Sequence, residues 1–155
     1  MIKCRFENNN EASLRHVTVD SLLIKDGKLL LIKRTGKLLE GGKWGLIGGF
    51  VDRDETLKEA VAREAKEESG YLVSNIELLT VRDNPDRPKE DRQNISFVYI
   101  CEAGEKVGES DWEVDGQKWF DLDSLPLEEE IAFDHYQNIE LYKEYLKSNL
   151  SLPII

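Results

Sequence analysis

The sequence predicts a mixed α/β domain. Short apolar runs of strand length, bounded by turn residues, stand on both sides of a segment with helical periodicity at residues 56–69, and a second helical segment lies near the end. The size and balance of the chain agree with this: 155 residues, 40% hydrophobic and 34% charged, suffice for one packed core and are too apolar for disorder.

Residues 1–13 carry no strong pattern and are expected to be a flexible N-terminal segment of a single domain spanning 1–155. Two apolar runs, 17–24 and 29–32, flank Asp26-Gly27, a hairpin signal. A Gly- and Lys-rich loop at 35–43 leads into a short apolar piece at 44–50. The helix over 56–69 should stop at Gly70. A strand is expected at 76–81, then a polar loop at 83–92 in which Pro85 and Pro88 exclude regular structure. Strands follow at 95–101 and 117–122. Asp134 can cap a last helix that presents His135, Ile139, Tyr142 and Leu146 on one face. Trp44, Phe97 and Tyr99 read as core residues rather than base-stacking groups.

The formal net charge of −10 argues against a general nucleic-acid or anionic-membrane partner, which would require a basic face. A small phosphorylated ligand remains compatible, because a bound divalent cation can supply positive charge locally. The first ten residues lack the apolar core of a signal peptide, and Leu29-Leu30-Leu31-Ile32 is typical of the longest apolar runs, so a cytoplasmic protein is expected. Cys4 and Cys101 form no metal or redox motif; they read as a free thiol and a core thiol.

The helix at 56–69 is unusual. At about 100° per residue, Leu57, Ala60 and Val61 define its apolar face, yet Glu64 and Glu68 fall on that same face with Glu67 beside them. Like charges at i,i+3 and i,i+4 repel by a few tenths of a kcal/mol, and anions near a helix C-terminus cost roughly 0.3–1 kcal/mol each. A solvated acidic face is the ordinary reading of such a run. Carboxylates turned towards the core instead suit a hard divalent cation, and with no His or Cys in the cluster Mg²⁺ or Mn²⁺ is favoured over zinc.

Gly49, Glu55, Arg63, Glu64, Glu67, Glu68 and Gly70 stand at spacings that resemble the Nudix box. Ala65 and Tyr71 stand where the family prefers a bulky aliphatic, Ile47 where many members have proline, and Asp54 where many have glycine. The strand at 29–34, Trp44 and residues 119–126 extend the resemblance. It implies a Nudix-type α/β/α sandwich around a mixed β-sheet, and a pyrophosphohydrolase acting on nucleoside diphosphates linked to another moiety.

By that resemblance, Glu64, Glu67, Glu68 and the Gly49 carbonyl are metal ligands, and Glu64 or Glu68 can assist the attacking water. Arg63 would pair with Glu55 to fix the loop against the helix, the alternative being an i,i+4 pair with Glu67. Glu113, six residues before Trp119, is the candidate for an additional ligand or general base, or else a plain surface glutamate. Glu90 and Glu109 are weaker candidates. Arg34, Arg82 and Arg87 are candidates for substrate phosphates, with Arg34 equally readable as a solvated strand-end charge. His135 and His16 read as packing residues.

For the substrate, Gly49-Phe50-Val51-Asp52, the segment 82–88 and Phe133-Asp134-His135 resemble the ADP-ribose pyrophosphatase branch. ADP-ribose, cleaved to AMP and ribose 5-phosphate, is therefore the first expectation. A nucleoside triphosphate, including an oxidised one, is the second. A non-catalytic nucleotide sensor is the rival class, against which the intact ionic box weighs. Dimers are common in that branch, which makes a homodimer an expectation, with the apolar end at 150–155 as a candidate interface strand.

Overall fold

A computed structural model describes residues 1–87, 92–148 and 150–155. The elements are β1 (Ile2–Arg5), β2 (Glu11–Leu14), β3 (Val17–Lys25), β4 (Lys28–Arg34), β5 (Trp44–Gly45), β6 (Ile47–Phe50), α1 (Leu57–Ser69), β7 (Tyr71–Arg82), β8 (Ile95–Lys106), β9 (Val114–Asp121) and α2 (His135–Lys147), with one 3₁₀ turn at Glu128–Glu130. All strands from β3 on belong to one mixed sheet. No helix among the described residues is long and apolar enough to cross a membrane.

The period-2 alternation of strand side chains sorts the core into two layers. Val19, Leu23, Leu30, Ile32, Tyr99 and Cys101 face α1 and pack on Ala60, Val61 and Ala65. Leu22, Leu29, Leu31, Leu79, Val98 and Phe120 face the other way and pack on Ile139 and Tyr142 of α2. One helix thus covers each face of the mixed sheet. Leu146 departs from the expected buried face of α2: it is exposed, because it lies in the helix's last turn beyond the sheet contact.

Asp26 and Gly27 close the β3–β4 hairpin with φ of 50° and 73°, a primed turn that glycine and aspartate adopt readily. The two strands then part. β3 pairs with β4 only through Leu23–Lys25 against Lys28–Leu30; further along, β3 pairs with β6 and β4 with β5. β5 and β6 fill the gap between diverging neighbours, which carries Gly48 and Gly49 into the sheet opposite Asp20 and Val19. β3 also pairs parallel with β8, and β8 antiparallel with β7.

The N-terminal residues, expected as a flexible segment, pair as a β1–β2 hairpin in a sheet of their own. Asn9 turns its backbone to φ 66° there, and Phe6 and Asn10 close the loop by a hydrogen bond of 2.9 Å. β7 and β8 run longer than the sequence suggests, because they pair with each other beyond their apolar centres. Residues 150–155 form no strand. Ile154 instead donates its N–H to Leu79, and Leu152 and Ile154 pack on the α2-side core.

Candidate active site

α1 begins at a capping box: Thr56 accepts from the Glu59 N–H, and the Glu59 carboxylate accepts from the Thr56 N–H at 2.7 Å. It ends at Gly70, whose φ of 78° is the left-handed cap that a Cβ would oppose. With both ends fixed, the rotation of the helix is fixed, and the acidic half of its inner stripe meets β6 rather than solvent.

Glu68 is 4% exposed and accepts the Gly48 N–H at 2.9 Å. Burial pushes its pKa well above the ordinary carboxylate range; the Gly48 N–H and Arg34 oppose this, while Glu64 and Asp111 add to it. The Glu64 carboxylate lies against Gly49, so closely that a Cβ on Gly49 would stand 2.3 Å from Glu64 Oε1. Its pKa is also raised, first by burial and then by Glu67 and Glu113, with Arg63 opposing. Glu67 is half exposed.

Arg63 binds all of these together. Its Nε and Nη2 fork onto Glu55 at 3.1 and 2.8 Å, Nη2 also reaches the Phe50 carbonyl at 3.0 Å, and Nη1 bridges Glu64 at 2.8 Å and Glu67 at 3.1 Å. Glu55 also accepts the Asp52 N–H at 2.7 Å, and its pKa is lowered, chiefly by the Arg63 hydrogen bonds. The Glu55 pair and the Glu67 pair considered as alternatives from the sequence therefore coexist.

Gly49, Arg63, Glu64 and Glu113 line one cleft of about 370 Å³, together with Arg34, Arg87, Arg92, Asp20, Phe133 and His135. Glu113 is positioned from its backbone: its N–H donates to Asp111 Oδ1 at 2.9 Å and its carbonyl accepts the Thr35 N–H at 2.8 Å. Asp111, which the sequence reading passed over, ties this loop to α1 by donating its N–H to the Glu67 carbonyl at 3.0 Å. Glu109 is exposed and pairs with Lys106, away from the cleft; Glu90 and Pro88 lie outside the described residues.

The three arginines proposed for substrate differ in placement. Arg34 lines the cleft, with its guanidinium 5.2 Å from the Phe133 ring. Arg87 lines it too, but is buried and holds Asp134 at 2.7 Å and Asp20 at 3.6 Å. Arg82 does not reach it. Its Nε donates to Asn138 Oδ1 at 2.7 Å, and it borders a separate open groove along α2. Asp134 stands at the N-cap position of α2 without making a side-chain cap, because its carboxylate faces Arg87.

Among the described residues, no three acidic, His or Cys side chains already converge as a ready-made metal site. The donors nonetheless fit a hard divalent cation. All are oxygens, and the half-buried Glu64 and the buried Glu68 have raised pKa values, which an added positive charge would reverse.

A cleft with this acidic helix end and glycine strand defines a class. Residues 14–142 match the NUDIX domain model, and the chain belongs to the Nudix hydrolase family, whose members are pyrophosphohydrolases. It is 40% identical over 131 residues to the ADP-ribose pyrophosphatase of Methanocaldococcus jannaschii, covering 83% of this chain and 73% of that protein. It is 30% identical over 105 residues to the NAD-capped RNA hydrolase NudC of Pseudomonas aeruginosa, covering 68% of this chain but only 36% of NudC. The fold superposes on the NUDIX domain of Shewanella oneidensis NrtR complexed with ADP ribose, with a TM-score of 0.72 and 30% identity over 87% of this chain and 90% of that one. It also matches a bifunctional NMN adenylyltransferase/ADP ribose pyrophosphatase of Francisella tularensis complexed with AMP and Mn ion, with a TM-score of 0.67 and 26% identity over 86% of this chain and 43% of that one.

Proposed function

We propose that this Nudix hydrolase cleaves ADP-ribose to AMP and ribose 5-phosphate, using Mg²⁺ or Mn²⁺ held by Glu64, Glu67, Glu68 and the Gly49 carbonyl. The observation that carries the reading is one cleft that joins Gly49 and Glu64 of the box to Glu113, Arg34 and Arg87, with Glu68 held on the N–H of Gly48 in its lining. The 40% identity to an ADP-ribose pyrophosphatase supports the choice of substrate.

When bound, the cation neutralises phosphoryl oxygens and acidifies a water molecule. The chain's own residues do the rest. Arg63 and Glu55 lock the strand β6 and the loop after it against α1, fixing Gly49 relative to Glu64. Glu113 accepts a proton from the attacking water, which adds to one phosphorus as the bridging P–O bond breaks. Arg34 holds substrate phosphate oxygens at the mouth of the cleft. No residue forms a covalent intermediate, and the protein acts as a monomer or homodimer on a small nucleotide.

A substrate panel tests this: ADP-ribose and ATP with Mg²⁺ and with Mn²⁺, products resolved by chromatography. AMP and ribose 5-phosphate from ADP-ribose are expected, abolished by excess chelator and restored by either ion. A much higher kcat/KM on triphosphates would install the second expectation instead. Full activity in chelator would remove the metal from the mechanism.

A further inference from the structure

Beside β6, on the face of the sheet turned towards α2, the cleft has a floor that the reaction does not use. Along β3, the row facing α2 reads Leu22, Asp20, Thr18; along β8 and the residue before it, the matching row reads Val98, Ser96, Asn94. Both rows change from apolar to polar without leaving the interior: Thr18, Asp20, Ser96 and Asn94 are all 7% exposed or less. His135 and the Arg87 guanidinium, also buried, close over them.

Their charges and donors are specific. The Leu46 N–H donates to His135 Nδ1 at 2.9 Å, which turns the Nε2 side of the ring to Asp20 Oδ1 at 3.4 Å. Burial raises the Asp20 pKa, but His135, Arg87 and Ser96 together more than offset it and hold the carboxyl well below the usual carboxylate range. The Ser96 hydroxyl donates to Asp20, His135 Nε2 and Arg87 Nη2 stand 3.4 and 3.6 Å from it, and the carboxylate, with four lone-pair sites, lines the cleft. The Thr18 hydroxyl is buried and has no hydrogen-bond partner among the described residues. Asp20 and Asp134 stand against the Arg87 guanidinium, and Arg34 and Arg92 line the same cleft.

We propose that this floor is a sugar subsite, in which Asp20 and Thr18 take the vicinal diol of the terminal ribosyl group that ADP-ribose has and ATP lacks. A base fits less well: Phe133, the aromatic ring at this end, already carries the Arg34 and Arg87 guanidinium groups at 5.2 and 4.9 Å. The exposed Phe50, cross-strand from Thr18, lies at the rim and likewise carries the Arg92 guanidinium and the His16 ring at 5.4 and 5.0 Å. The proposal rests on the reading that ADP-ribose is the substrate and adds what recognises its sugar.

Thr18→Val and Thr18→Ser test it, with ADP-ribose and ATP as paired substrates. Loss of one hydrogen bond should raise the Thr18→Val KM for ADP-ribose by about three- to tenfold more than that for ATP. Thr18→Ser, which keeps the hydroxyl, should restore it. Thr18→Val should melt no lower than wild type, since it deletes a buried hydroxyl without a partner. A rise equal for both substrates, or for neither, overturns the subsite. Asp20→Asn gives a second reading: the ratio of kcat/KM for ADP-ribose over ATP should fall at least fivefold, and an unchanged ratio overturns the subsite. Should wild type turn over ATP and not ADP-ribose, the proposed function falls, and calorimetric binding of ADP-ribose without metal still decides the subsite. Weaker binding by Thr18→Val upholds it, and equal binding or none by wild type overturns it.

Discussion

Gly49→Ala separates catalysis from folding on geometry alone. The new Cβ would lie 2.3 Å from Glu64 Oε1 and 2.7 Å from its Cδ, where an ordinary contact needs about 3.4 Å, so the carboxylate must retreat by roughly 1 Å. The obstacle is the far end of a flexible side chain, which can rotate away, and alanine also loses less chain entropy on folding, an offset of about 0.4–1 kcal/mol. Melting should therefore shift by no more than about 4 °C in either direction. Turnover should fall by about a hundredfold, the usual effect of a 1 Å misplacement at a reacting centre. Gly48→Ala provides the contrast. Its Cβ would stand 2.1 Å from the Val19 backbone carbonyl, which β3 holds in place, so overpacking of about 3 kcal/mol and a melting drop of roughly 6–12 °C are expected. The assay is paired: thermal unfolding of both variants without metal, and steady-state hydrolysis of ADP-ribose with Mg²⁺. Near-wild-type turnover by a folded Gly49→Ala would refute the placement of Glu64 against β6, as would equal melting losses for the two variants.

Glu68→Gln keeps an acceptor for the Gly48 N–H while removing a buried charge beside Glu64 and Asp111, so the metal-free protein should melt higher and turnover should fall about a hundredfold or more; unchanged turnover would return the acidic stripe to a structural role. Millimolar Mg²⁺ should raise the melting temperature of wild type and raise that of Glu68→Gln less, and equal shifts would place the ion elsewhere. Asp20→Asn breaks a buried ion pair and should cost about 3 kcal/mol at pH 7. Because the folded Asp20 pKa is depressed, its stabilisation is complete above the unfolded value of about 4 and fades as pH falls below it, so the wild-type advantage should shrink in melting curves at pH 4 and below; a gap that widens on acidification would contradict the assignment.

The sequence displayed the box because its anomaly is local. Glu64 and Glu68 share a helical face with Leu57 and Val61, and one turn of arithmetic exposes the conflict. The Asp26-Gly27 turn and the Gly70 stop were legible for the same reason: each is a backbone demand met by neighbouring residues. The buried polar floor obeys an equally simple rule, an apolar row turning polar at period 2, but it draws on Asp20 and Ser96, 76 residues apart and joined only by the parallel pairing of β3 with β8. Parallel register leaves no turn signal in a sequence. Arg82 misled for a related reason. It ends a strand near the cleft in sequence terms, yet the long pairing of β7 with β8 carries it to Asn138 on α2. The β1–β2 hairpin was invisible because its strands are short and exposed, with few apolar residues to alternate.

Arg63 spends every donor it has: five N–H groups meet five acceptor contacts, on Glu55 twice, Phe50, Glu64 and Glu67. Two of those acceptors are proposed cation ligands, so the guanidinium is a resident counterion for the acidic stripe. Cation binding then becomes an exchange of partners rather than the neutralisation of bare charge. On that reading the helix end has its charge balanced before a cation arrives, and affinity is tempered by the cost of releasing Nη1. A lysine could match the charge but not the fork that grips Glu55 while the third nitrogen lets go.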